Sequence, residues 1–300
     1  MNISASTRWQ SPALVFTDLD GTLLDHDTYD FAEAAPALRL LQTLNIPLIP
    51  TTSKTVAEML HINQRLNNPH PFIAENGCII GIPDGYFTRT SFPLGKTVVD
   101  YQSYNLIMLA PLYAEVLSIL QQLRTEQQKF RFQGFNDLSA CEIAKLTQLP
   151  LPQAELAKQR LCSEPLLWLG DDASLQAFKA ELHRRELLLV KGGRFWHVFG
   201  RTNKGLAMQQ LVTLYQSQGL SNATLIALGD SPNDIDMLDQ AHIAIVIKRK
   251  DGTHLAYSMG NETKQQVLIS NKAGPAGWNN IINDTIEQLR SSSRKGIGHV

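Results

Sequence analysis

Cysteine is scarce: three in 300 residues, and Cys78, Cys141 and Cys162 lie too far apart to form a metal or redox motif. That excludes a disulfide framework and leaves reduced thiols in a cytoplasmic protein as the expectation. Long apolar runs are also missing. None approaches the ~18 to 20 residues of a membrane span, so no membrane partner is expected. An excess of charge is lacking too, with 27 basic against 28 acidic residues and a net charge of -1. Without a basic face there is no electrostatic footprint for nucleic acid, and the short cluster Lys248-Arg249-Lys250 reads as a solvated loop. Repeats, low-complexity tracts and long flexible linkers are absent as well. Residues 1–12 show no charged-then-apolar signal pattern and read as a lead-in.

What remains is an ordinary globular composition, 43% hydrophobic and 18% charged, in a chain of 300 residues. That length exceeds one typical domain core, so two domains are expected. The most informative stretch is Ala13-Leu14-Val15-Phe16-Thr17-Asp18-Leu19-Asp20-Gly21-Thr22. An apolar run with β-branched and aromatic residues, closing on glycine, predicts a buried parallel strand. Side chains two apart on a strand point the same way, about 7 Å apart at ~3.3 Å per residue. That gap suits a phosphoryl group and a metal ion, and strand carboxyl ends are where open α/β sheets bind ligands. Asp-x-Asp alone equally fits a strand end whose acids cap the next turn.

Three further stations share the same placement. Ile46-Pro47-Leu48-Ile49-Pro50 runs into the hydroxyl cluster Thr51-Thr52-Ser53. Thr202-Asn203-Lys204-Gly205 opens a helix with a lysine in its first turn, where a cation is disfavoured unless it has an anionic partner. Ala223 to Leu228 is a second apolar strand, ending in Gly229-Asp230-Ser231-Pro232-Asn233-Asp234. Taken together, Asp18-Leu19-Asp20-Gly21-Thr22, Thr52-Ser53, Lys204 and Gly229-Asp230 through Asn233-Asp234 resemble the four motifs of the haloacid dehalogenase-like phosphohydrolases. The resemblance covers nearly the whole chain. A finer one is to the mannosyl-3-phosphoglycerate phosphatase branch. It is carried by Thr52-Ser53-Lys54-Thr55, Glu75-Asn76-Gly77, Ser163-Glu164-Pro165 with Trp168, Gly193-Arg194-Phe195 with His197, and Gly274-Pro275 with Gly277-Trp278.

The pattern of elements predicts an α/β fold, a Rossmann-like parallel-sheet core with an inserted α+β domain. Strand and helix alternate over 13–82 (strands 13–18, 46–50 and 72–74) and again from 203 onward (helix 203–217, strand 223–228, helix 233–240, strand 243–247). Gly81-Ile82-Pro83-Asp84-Gly85 reads as a turn cluster. Helices are expected at 111–124, 139–147, 152–160 and 173–184. Strands are expected around 130–134 and 165–169, with 187–190 and 194–199 forming a hairpin across Lys191-Gly192-Gly193. Trp278 to Leu289 is an amphipathic helix, with disorder expected from Ser291. The expected domains are 1–84 with 200–300 as the core and 85–199 as the insertion, which the resemblance implies to be a type-two cap supplying substrate-specific groups.

The resemblance also implies roles. Asp18 is the nucleophile, forming an aspartyl-phosphate, and Asp20 the general acid and then base. Asp18 and Asp230 with the main-chain carbonyl of Asp20 make an all-oxygen shell that favours Mg²⁺, and Asp234 holds metal-bound water or braces Lys204. Thr52 and Ser53 donate to phosphate oxygens without being separable, Asn233 positions neighbouring groups, and Lys204 pairs with the phosphate. Lys191 is its rival. Asn203 stands where the related pattern often has Asp. Glu75, Asn76, Arg194 and His197 are candidates for the substrate's sugar hydroxyls or carboxylate, while Trp168 and Trp196 read as core. The expected reaction is phosphate release from a small phosphorylated sugar-glycerate, mannosyl-3-phosphoglycerate in the first place. Glucosyl-3-phosphoglycerate, sucrose phosphate and hexose phosphates are the alternative substrates; a phosphomutase and a non-catalytic binding protein are the alternative functions.

Overall fold

The runs that end in motif residues become neighbouring strands. A computed structural model describes residues 13–192, 194–257 and 265–295; the lead-in 1–12 and Gly193 of the expected hairpin lie outside them. The chain divides into two compact units, 1–51 with 208–300, and 52–207.

In chain order the elements begin with β1 (Ala13–Thr17), α1 (Ala35–Thr43), β2 (Leu48–Pro50), α2 (Val56–Leu66), β3 (Phe72–Ala74) and β4 (Ile79–Pro83). Next come β5 (Thr97–Tyr101), β6 (Tyr104–Met108), α3 (Tyr113–Glu126), β7 (Phe132–Gly134), α4 (Ala140–Thr147) and α5 (Leu151–Lys158). Then follow β8 (Glu164–Trp168), α6 (Asp172–Arg184), β9 (Leu187–Lys191), β10 (Trp196–Gly200) and α7 (Lys204–Ser217). The chain closes with β11 (Thr224–Gly229), α8 (Ile235–Asp239), β12 (Ile243–Lys248), β13 (Gln266–Ala273) and α9 (Gly274–Lys295). No described helix is long and apolar enough to cross a membrane.

The first unit holds a five-stranded sheet in the order β13-β12-β11-β1-β2, parallel throughout. Parallel strands are covered on both faces, which is why β1 is an unbroken apolar run with every residue buried. The strand order reverses between β1 and β11, and ligands of such sheets bind beyond the carboxyl ends at that point. Asp18 follows β1 and Asp230 follows β11, so both acids stand at the reversal. Beneath them the fully buried Trp278 of α9 donates from Nε1 to Thr17 Oγ1 at 3.0 Å, and that hydroxyl donates to the carbonyl of Asp18 at 2.8 Å.

The second unit carries two antiparallel sheets, β3-β4-β6-β5 and β7-β8-β10-β9. Leu120 and Leu123 of α3 and Phe178 and Leu182 of α6 pack with Leu166 and Val198 in one apolar cluster. Trp168 and Trp196, both partly buried, pack against it, and Trp168 stacks on Phe178 at 5.0 Å between ring centres.

Several expectations needed correction. The turn expected at 81–85 begins only after Pro83, because Gly81 continues β4 opposite Phe72. A Cβ at Gly81 would stand 2.2 Å from the Phe72 ring, so the aromatic covers the gap the glycine leaves. The strands β5, β6 and β13 were not anticipated, and α9 starts four residues before Trp278 and runs past Ser291 to Lys295. Residues 296–300, also expected to be disordered, lie outside the described ones. The two compact units meet at 51/52 and 207/208, and β3 and β4 share one sheet with β5 and β6.

Candidate active site

In the first unit three carboxylates converge. One oxygen each from Asp18, Asp230 and Asp234 lie within 4.8 Å of one another. Asp18 is 6% exposed and Asp234 fully buried. Buried like charges this close repel strongly unless a cation lies among them. An all-oxygen donor set suits a hard divalent ion of the magnesium class. Asp20 is partly buried and its carboxylate is not one of the three; the expectation for it concerned its main-chain carbonyl.

Local structure aims these groups. The main-chain N–H of Asp18 donates to Leu228 O at 2.9 Å, which ties the start of the loop after β1 to β11. Asp234 Oδ2 accepts from the amides of Asp230 and Ser231, both at 3.0 Å, and from the Ser231 hydroxyl at 3.2 Å. Asp234 thus closes its own turn as well as facing the cluster. The turn is tight: a Cβ on Gly229 would come within 2.4 Å of the Asp234 Cβ, so the chain needs glycine there. Asn233 Oδ1 accepts from the same serine at 2.6 Å.

Two contributors escaped the sequence reading. Thr22, last residue of the first motif, donates to Asp230 Oδ1 at 3.2 Å. Arg249, read as a solvated residue, donates from Nε to the Asp230 carbonyl at 2.8 Å and lies 3.9 Å from its carboxylate. A basic tripeptide at the end of a strand carries no signal that one of its members turns back on a motif acid.

In the second unit Thr52 is buried, and its hydroxyl accepts from Lys54 N at 3.2 Å, while Ser53 is partly exposed. Helix α2 then begins on a capping box, in which Thr55 Oγ1 accepts from Glu58 N at 3.0 Å and Thr55 N donates to Glu58 Oε2 at 2.8 Å. Lys204 is 1% exposed at the first turn of α7. Its rival Lys191 is exposed and lies over the Trp196 ring at 5.1 Å. Burial separates the two lysines.

The four substrate-side candidates have four different settings. The carboxylate of Glu75 accepts hydrogen bonds from the backbone of 161–163, and the main-chain N–H of Asn76 donates to Thr52 O at 2.9 Å. Arg194 lies before β10, exposed, and donates to Thr147 O at 2.6 Å. His197 is buried in β10, and its Nδ1 makes no protein hydrogen bond. Burial, joined by the charges of Arg160, Lys204 and Lys191, lowers its pKa to about 3, so the ring is neutral near pH 7. Glu164 behaves in the opposite sense. Burial pushes it up to about 7, although Tyr113 Oη and Asn136 N donate to it at 2.6 and 2.9 Å.

Comparison with known proteins joins these observations. A family model described as haloacid dehalogenase-like hydrolase matches residues 15–99 and 168–258, more than half of the chain. The chain is 40% identical over 274 residues to the glucosyl-3-phosphoglycerate/mannosyl-3-phosphoglycerate phosphatase of Methanococcoides burtonii, covering 91% of this chain and 97% of that protein. Its fold is similar to a subclass IIB sugar phosphatase of the haloacid dehalogenase superfamily, with a TM-score of 0.58 at 12% identity, covering 92% of this chain and 98% of the other. It is also similar to the sucrose-phosphatase of Synechocystis sp. PCC6803, with a TM-score of 0.57 at 14% identity and coverage of 94% and 99%. The strand-end acids, their order along the chain and the extent of these matches place it in one family: the chain belongs to the haloacid dehalogenase-like hydrolases.

Proposed function

We propose that this chain is a Mg²⁺-dependent phosphatase that releases phosphate from mannosyl-3-phosphoglycerate, leaving mannosylglycerate, with glucosyl-3-phosphoglycerate as the alternative substrate. The observation that carries the chemistry is the convergence of Asp18, Asp230 and Asp234 within 4.8 Å at the strand-order reversal. Support for the substrate comes from the 40% identical relative, whose name includes both glycosyl esters.

In this reading an Asp18 carboxylate oxygen attacks phosphorus, the P–O bond to the glycerate breaks, and Asp20 gives its proton to the leaving alkoxide. Asp20 then takes a proton from the water that attacks the aspartyl-phosphate, and cleavage of that P–O bond restores the Asp18 carboxylate. Asp18, Asp230 and Asp234 would hold Mg²⁺, with the Asp20 carbonyl as a further oxygen, and the ion supplies positive charge that offsets charge on the transferring group. Roles for Thr52, Ser53 and Lys204 at the phosphate oxygens, and for Asn233 beside them, rest on the motif order of the sequence. Residues 85–199 are assigned to reading the glycosyl-glycerate half, with Arg194 and His197 as candidate contacts and Asn76 as a third from the turn after β3.

The test is phosphate release with and without Mg²⁺ across the two glycosyl-3-phosphoglycerates, sucrose phosphate and simple hexose phosphates. A preference of about 100-fold for one glycosyl-glycerate, roughly 2.7 kcal/mol of transition-state discrimination, supports the proposed substrate. A flat, metal-dependent profile keeps the phosphatase and removes that substrate.

A further inference from the structure

Glu75 sits at the centre of a second buried network, wholly inside the 52–207 unit. Glu75 and Asn76 are consecutive residues at φ 49° and 59°, a left-handed pair that side chains other than glycine adopt at a cost. The surroundings hold them there. Glu75 N donates to Lys54 O, and Asn76 N to Thr52 O, both at 2.9 Å. Glu75 is fully buried, and its Oε1 accepts from Leu161 N at 2.8 Å. Its Oε2 accepts from Cys162 N, Ser163 N and the Ser163 hydroxyl at 3.0, 2.8 and 2.7 Å.

Arg160 completes the network. Its Nη2 donates to Ser53 O and to the Ser163 hydroxyl, both at 3.0 Å, and its Nε donates to Ser163 O at 3.2 Å while lying 3.9 Å from Glu75 Oε2. Three consecutive carbonyls, of Thr52, Ser53 and Lys54, are therefore held by Asn76, Arg160 and Glu75. In a trans peptide the N–H of the next residue points opposite to the carbonyl. Fixing the Thr52 carbonyl thus sets the direction of the Ser53 N–H, and such oriented amides are what anion-binding turns are made of.

We propose that Glu75 and Arg160 are positioning residues that hold the Thr52–Ser53 turn in its phosphate-binding orientation, through its carbonyls and through residues 161–163, without touching substrate. This gives Glu75 a different task from the sugar contact its sequence position suggests. The inference rests on the reading of Thr52 and Ser53 as phosphate donors, so one of its measurements must not depend on turnover.

The experiment compares wild type with Glu75→Gln, Arg160→Met and the double variant. Backbone hydrogen exchange is followed over 51–56 and 160–164, and competitive inhibition by inorganic phosphate is measured in parallel. Loss of a hydrogen bond from a charged donor is expected to raise the phosphate inhibition constant about ten-fold in Arg160→Met, with most of the loss in kcat/KM carried by KM. Exchange over 51–56 should quicken in both single variants. The double variant should lose little more than the worse single one, because both act on one turn. Unchanged exchange over 51–56, or wild-type phosphate inhibition in Arg160→Met, overturns the proposal. Should Glu75→Gln fail to fold, Arg160→Met decides alone, since it leaves the hydrogen bonds to the Glu75 carboxylate in place. If the wild type neither binds phosphate nor releases it from any ester, the proposed function falls, and the exchange comparison still judges whether this network holds the turn.

Discussion

Each unit buries acidic side chains, and the two do opposite things with them. In the first, three carboxylates gather within 4.8 Å of one another, with the Arg249 guanidinium 3.9 Å from that of Asp230 and donating to a main-chain carbonyl. In the second, the Glu75 carboxylate accepts from three backbone amides and a hydroxyl, with Arg160 beside it. A carboxylate saturated by oriented donors is a structural fastener. Carboxylates pressed against one another keep a demand for a cation. Burial alone is common to both groups, and backbone donors are too, since Asp234 accepts from two amides and a hydroxyl; what separates the two is that the carboxylates of the first converge on one another.

The sharpest way to break the comparison is Asp18→Asn. It removes the proposed nucleophile while leaving β1 intact, and turnover is expected to fall on the order of 10⁴-fold or more with the fold retained, checked by phosphate release and circular dichroism. Retained activity would return Asp18 to the status of a turn cap. Removal of divalent ions by EDTA should abolish activity reversibly, and Asp230→Asn should raise the Mg²⁺ concentration for half-maximal activity at least ~10-fold. Glu75→Gln should leave that concentration unchanged, because its carboxylate belongs to the other class.

Two buried groups sharpen the contrast through pH. Glu164, pushed up to about 7 from an ordinary 4.5, keeps its proton in the folded chain where the unfolded chain has lost it. Its contribution is complete below pH 4.5 and is lost as pH rises through 7. His197 has the opposite sign: lowered to about 3 from 6.5, it makes the folded chain lose stability as pH falls from 6.5 toward 3. Urea midpoints measured from pH 4 to 8 should show the first slope vanish in Glu164→Gln and the second in His197→Asn. Equal slopes in wild type and both variants would refute the assignment. The smallest effect belongs to Trp278→Phe, which deletes the donor to Thr17 Oγ1 beneath Asp18. A stability loss of about 1–2 kcal/mol is expected with activity lowered less than ~10-fold, read from denaturant unfolding and initial rates.

Most helices, and the strands that carry motifs, were legible because their signals are local. β1 and β11 are apolar runs closed by glycine, and α2 starts on Thr55 with Glu58 three residues on. β5 and β13 were not, since their largely exposed, partly polar residues give no run and no clean alternation, and β6, though mostly buried, is a short apolar run that periodicity alone does not mark as a strand. The settings of Arg249 and Glu75 were illegible for a different reason. Arg249 meets Asp230 across 19 residues, and Glu75 meets the 161–163 backbone across 86 to 88. Backbone amides are the same at every position, so no residue type announces which of them a carboxylate will find.

The sequence by itself determined the α/β class and the family, and it singled out Asp18, Asp20, Asp230 and Asp234 as the acids proposed to react or to hold a metal, because such groups must be particular side chains at particular places in the chain. The tertiary structure alone decided which of them converge, and that Lys204 is buried while Lys191 is not. It also decided that Glu75 serves the backbone. Those outcomes depend on distances between segments far apart in the chain, and only the packing of sheets and helices fixes such distances.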